Sequence, residues 1–154
     1  MNIDVNNESG VAVDEPEVAA LARHVLDSMH VNRRAELSIL LVDEPAMEAL
    51  HVRHMDEPGP TDVLSFPMDE VRPGREGEES APGHLGDVVV CPQVAQRQAR
   101  SAGHSTQEEM LLLTAHGILH LLGFDHAEPG EEKEMFGLQR RLLLTFLARR
   151  GGRG

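Results

Sequence analysis

Three histidines and a glycine constrain this chain more than any other stretch: His116-Gly117-Ile118-Leu119-His120-Leu121-Leu122-Gly123-Phe124-Asp125-His126. A step of four residues nearly completes a helical turn, so His116 and His120 share one face of a helix. Their imidazoles can then grip one ion from the same side. Gly123 can adopt the left-handed backbone common just past a helix end, and that reversal can bring His126 back as a third ligand. Three nitrogen ligands with an open fourth position is the arrangement of a catalytic zinc, whereas structural zinc sites are usually closed by four ligands. The expected centre is one Zn²⁺ per chain on His116, His120 and His126. The plain alternative is three core or surface histidines at a coincidental spacing, and the turn glycine in ligand register argues against it.

The surrounding pattern places that centre on a rigid element. Ser105 and Thr106 precede Glu108 and Glu109, so either can open a capping box. The helix that follows, to about Leu122, is apolar nearly all round, which puts it inside a domain. Elsewhere, residues 2–6 alternate as a short strand, and Pro16 sits in the first turn of a helix bearing Val18, Leu21, Ala22, Val25, Leu26 and Met29. Residues 36–42 read as a buried strand and 43–54 as a helix. Residues 56–60 are loop chemistry, 61–66 a strand ended by Pro67, and 68–84 an exposed, mobile loop. Residues 85–91 are the last strand, buried on both faces at Val88-Val89-Val90. Pro92 opens a helix that Gly103 ends, and residues 129–132 begin a final helix striped by Met135, Leu138, Leu142, Leu143 and Phe146. Four strands among five helices give an α/β or α+β fold. The domain is expected over 1–147, with 148–154 a disordered tail.

Composition narrows the classes. Net charge is −12, which argues against general electrostatic affinity for nucleic acid. The single cysteine, Cys91, forms no internal disulfide and suits a reducing cytoplasm; it reads as a small buried hydrophobe. No signal-like start and no apolar run of ~20 residues is present, so a membrane role is not expected and the protein is expected in the cytoplasm.

The histidine spacing is that of the metzincin proteases, except that they place a glutamate general base directly after the first histidine, where this chain has Gly117. HGILHLLGFDH instead resembles the signature of the YbeY family, bacterial metal-dependent endoribonucleases. Pro60-Thr61-Asp62-Val63-Leu64-Ser65-Phe66-Pro67 and Leu85-Gly86-Asp87-Val88-Val89-Val90 support the match, so the resemblance spans roughly residues 35 to 147. It implies an α+β domain with a small four-stranded mixed sheet and the metal helix at its centre. It also implies zinc-dependent cleavage of single-stranded RNA in 3′-end maturation of 16S ribosomal RNA, and a part in ribosome quality control. The expected partners are single-stranded rRNA and ribosomal subunits, reached through a ribosome-associated protein. Many members carry an arginine six residues before the threonine of the strand passage; here that position is Met55, with Arg53 out of register. A metzincin-like metalloprotease and a non-catalytic ribosome assembly factor with a structural metal are the alternative readings.

Other residues have two readings each. Asp125 adjoins His126 and can steer a ligand or point away. Asp87, in an apolar strand, is either the acceptor for a ligand histidine's outer N–H or an edge-of-strand acid at Gly86. His24, His30, His51, His54, His84 and His104 lack ligand spacing and are expected at exposed helix or loop positions, with His84 a minor candidate for lining the cleft. Ser65 has no triad partners. Arg140, Arg141, Arg149, Arg150 and Arg153 either touch phosphates or simply favour a helix end.

Overall fold

The computed structural model describes residues 1–55, 61–125 and 127–151. Four strands, β1 (Asn2–Asn7), β2 (Glu36–Leu41), β3 (Val63–Pro67) and β4 (His84–Val90), are interspersed with five helices. These are α1 (Glu15–Ser28), α2 (Glu44–Met55), α3 (Pro92–Ala102), α4 (Thr106–Leu121) and α5 (Pro129–Gly151). The strands form one sheet in the order β1-β2-β4-β3. β1, β2 and β4 run parallel, and β3 closes one edge antiparallel to β4. The expected small mixed sheet in a single α+β domain is therefore what forms.

Strand alternation splits the core in two. Leu37, Ile39 and Leu41 of β2 and Val88 and Val90 of β4 join α1, α4 and α5 in the main cluster. Leu64 and Val89 join Val42, Met47 and Cys91 in a smaller one, where α2 packs. Leu85 belongs to the main cluster although its parity is opposite to that of Val88. The register shift opposite Glu36/Leu37 accounts for this, because one extra residue in β4 changes which face the following side chains meet. Gly86 sits at that shift with φ 134°, and a Cβ there would lie 2.1 Å from the Phe66 carbonyl oxygen. Only glycine fits both demands.

α4 packs against α1, α3, α5, β3 and β4, so the helix bearing His116 and His120 is the central one. Ser105 caps it, its Oγ accepting from the Glu108 backbone N–H at 3.1 Å. α1 starts on a cap not singled out from sequence, Asp14, whose carboxylate accepts from the Glu17 N–H at 3.1 Å. Asx and hydroxyl side chains serve here because the first N–H groups of a helix have no partner within it.

Two expectations change. Residues 68–83 contain no regular element, but they are tied down rather than loose. Val71 is buried, Gly74 donates to the Met29 carbonyl, Ser80 donates to the His30 carbonyl, and the Arg33 N–H donates to Glu79. The turn after α1 supplies these partners from more than 40 residues away in sequence, so composition alone could not reveal them. The tail expected from residue 148 begins as helix, because α5 continues to Gly151. There Arg150 pairs with Glu17 of α1 and the Arg149 guanidinium lies 3.4 Å from His24 Nδ1.

Helix-to-sheet contact at Gly117 yields a test. A Cβ on Gly117 would lie 2.6 Å from Val88 Cγ1 and 3.2 Å from Val63 Cγ2, whereas one on Gly137 of α5 would meet nothing within 4 Å. Gly→Ala gains up to about 1 kcal/mol in an open helix, while overpacking costs about 1–3 kcal/mol. Gly117→Ala should therefore lower the urea midpoint and Gly137→Ala should raise it. Equal shifts of the same sign in the two variants would contradict the packing.

Candidate metal centre

α4 ends as its sequence requires. The Phe124 N–H reaches the Leu119 carbonyl and the Gly123 N–H reaches the His120 carbonyl, each at 3.0 Å, with Gly123 at φ 101°. This paired closure is the Schellman arrangement. It turns the chain sharply off the helix just beyond His120, as the glycine in the motif suggests. His126, the third expected ligand, lies outside the described residues.

His116 and His120 are half-buried, and their rings meet edge to face with centroids 4.7 Å apart. Their placement side by side on one helix face is as expected. His116 Nδ1 lies 2.7 Å from Oε1 of Gln139, and its ring stacks on Phe136 at 5.8 Å with planes 18° apart. Both partners come from α5. Gln139 is buried. The signal for it in the sequence was a polar residue at helical spacing within an apolar stripe, four after Met135 and three before Leu142.

Asp87 does not serve as the outer acceptor for these histidines. It opens with Asp4, Asn6, Ser38, Leu40, Phe66 and Val89 onto a groove on the α2 side of the sheet, while Val88 next to it faces α4. The one-residue alternation of a strand sends it to the wrong side. Asp125 is exposed. Gly117 faces Val88, Val63 and Ser65, and Ser65 Oγ donates to the Gly117 carbonyl at 2.8 Å. Ser65 thus has a packing role. A side chain at the metzincin base position would here run into the sheet.

The remaining described histidines are half-buried rather than exposed. His24 Nε2 lies 2.9 Å from Thr145 Oγ1, linking α1 to α5; burial first, and then Arg149, hold its pKa below the ordinary imidazole value. His104 Nε2 lies 2.6 Å from the buried Glu109 carboxylate. His84 Nδ1 is 3.8 Å from Glu36, and its backbone N–H donates to Asp69. The side chains of His54 and Met55 lie outside what is described. Cys91 is fully buried, and burial pushes its thiol pKa up, as suits a small hydrophobe.

One cation escaped the sequence reading. Arg72 is exposed, bonds Glu70 at 2.8 Å, and lies so close to Gly123 that a Cβ there would be 2.6 Å from Nη1. Among the described residues no three His, Cys, Asp or Glu side chains gather at one point. The two described ligand candidates do fit a zinc: they are neutral-capable imidazoles one turn apart, and one is already held at its outer nitrogen. No helix among the described residues is long and apolar enough to cross a membrane.

The family model described as Endoribonuclease YbeY matches residues 2–147. An Endoribonuclease YbeY of Beutenbergia cavernae is 73% identical over 150 residues, covering 97% of this chain and all of that one. Another, of Clavibacter sepedonicus, is 67% identical over 153 residues, covering 99% and 100%. The solution structure of TM1509 from Thermotoga maritima superposes with a TM-score of 0.63 at 25% identity, covering 98% of this chain and 93% of that one. Matched by its model almost end to end and by relatives along their full length, the chain belongs to the endoribonuclease YbeY family.

Proposed function

We propose that the chain hydrolyses phosphodiester bonds in single-stranded RNA with a zinc ion held by His116, His120 and His126. Family membership supports the RNA substrate and the endonucleolytic reaction. The observation that carries the metal assignment is the pairing of His116 and His120 on the buried central helix, with His116 held from outside by Gln139. When bound, zinc supplies a water ionisable near pH ~7 as nucleophile and positive charge for the phosphate in the transition state. The protein's own part is to fix the two imidazoles on a packed helix and to turn the chain at Gly123. Arg72, paired with Glu70, lies against that turn and is the cation nearest to Gly123 among the described contacts. Gly117 offers no proton acceptor and its α-carbon faces the sheet, which disfavours the protease reading.

The biological setting proposed is 3′-end maturation of 16S ribosomal RNA and ribosome quality control in the cytoplasm, with ribosomal subunits as partners. Charge supports a partner-assisted route. A chain of net −12 is repelled by a polyanion at long range, and with a Debye length of ~8 Å at physiological salt only local cations help at contact. Arg149 and Arg150 face α1 rather than standing free for RNA. A ribosome-associated protein would raise the local substrate concentration instead.

Three outcomes follow. Purified, zinc-loaded protein should cut single-stranded RNA, lose that activity with chelator, and leave unfolded protein intact; chelator-sensitive peptide cleavage lost in His116→Ala would favour the protease. His120→Ala should copurify with far less than one zinc per chain, since two ligands and water hold the ion poorly. Elemental analysis with unchanged metal content would refute the assignment. At matched salt, ribosomal subunits should bind markedly tighter than naked RNA, and equal affinity would remove the case for a protein partner.

A further inference from the structure

We propose that α5 decides which nitrogen of His116 is offered to the metal. Gln139 locks the ring in the Nδ1-protonated tautomer, and Phe136 fixes its plane. The inference rests on the metal reading above and deepens it.

Gln139 is only 7% exposed and stands in an otherwise apolar stripe with Met135 and Leu142. A buried amide without a hydrogen bond is costly, so a polar residue there needs a partner. Its Oε1 lies 2.7 Å from His116 Nδ1. An amide oxygen only accepts, so Nδ1 carries the hydrogen and the ring's lone pair is on Nε2, the nitrogen that would bind a metal. Phe136 precedes Gln139 by three residues and shares its helix face. Its ring lies nearly parallel to the His116 ring, 18° between planes, while His120 meets that ring edge-on at 79°. An in-plane amide, a facial arene and an edge-on imidazole together leave the His116 ring little freedom to flip. Two of these three restraints sit on α5, 20 and 23 residues beyond His116. Gln139 and Phe136 are therefore positioning residues, acting on the metal through His116.

A neutral amide is also a specific choice. A carboxylate in its place would accept the same N–H and make the imidazole a stronger donor. Gln139→Glu should thus keep the tautomer, whereas Gln139→Leu, apolar in an apolar stripe, should lose it and retain the fold.

The test reads the tautomer directly. Nitrogen-15 spectra of histidine-labelled, metal-free protein, recorded on the alkaline side of each variant's own histidine titration, should show His116 protonated at Nδ1 in the wild type and in Gln139→Glu. In Gln139→Leu a mixture of tautomers should appear. Zinc affinity, measured by competition with a chromophoric chelator, should fall about 10–100-fold in Gln139→Leu and be restored or exceeded in Gln139→Glu. A wild-type His116 protonated at Nε2, or a Leu variant with unchanged tautomer and affinity, would overturn the proposal. Should Gln139→Leu not fold, the wild-type and Gln139→Glu spectra still decide it. A wild type that binds no zinc would instead sink the metal reading, while the tautomer of the metal-free chain would still judge the role of Gln139.

Discussion

The fold depends on how closely α4 approaches the sheet at Gly117. With no side chain there, Val88 and Val63 fill the space that a Cβ would take, and Ser65 of the edge strand donates to the Gly117 carbonyl. That contact ties the central helix to β3 and β4 together. It also sets the rotation of α4 about its axis, because Gly117 must face the sheet. Once that rotation is set, His116 and His120 leave from the remaining half-buried sector, where α5 meets His116. The residue that removes the protease's base thus has a packing reason to be glycine. Absence of a glutamate and placement of the histidines are two results of one constraint.

Most of the architecture was legible because its determinants are local. Alternation marks β1, proline and glycine bracket α3, a serine caps α4, and continuous apolarity buries that helix. The histidine pair was legible for the same reason, since four residues of helix fix its geometry. What escaped was set by contacts distant in sequence. The loop of residues 68–83 looks unstructured because its anchors, Met29, His30, Asn32 and Arg33, lie beyond the end of α1. Asp87 looks like a partner for a metal ligand because it lies in an apolar strand, and only the sheet's two-sided packing shows that it faces the α2 side. The extra residue at Gly86 shifts the face parity of β4, which the run of valines conceals.

Gln139 illustrates the middle case. A polar residue within a helical apolar stripe is visible in sequence, but its meaning depends on which buried group it meets. The helix-to-helix register of α4 and α5 supplies that meeting, at 2.7 Å from His116. The stripe read from the sequence passed over Gln139, and the structure shows the group that it meets. The same logic accounts for other half-buried histidines. His24 bridges to Thr145 and His104 to Glu109, so each satisfies its own burial locally.

The acidic balance of the chain is best understood by location rather than by sum. Asp4 and Asp87 lie on the groove at the α2 face, the side of the sheet away from α4. Glu17, Glu44, Glu70 and Glu79 each pair with an arginine. The exposed pairs among them contribute little to stability, but each pair cancels charge locally and shortens the reach of the field. Carboxylates on the far face are separated from the helix of the histidines by the full thickness of the sheet. A phosphate at the α4 turn would meet mainly the groups nearest to it: Arg72 against Gly123, itself paired with Glu70, and the exposed Asp125 two residues on. Net charge governs the approach of RNA from solution, whereas these local groups govern contact.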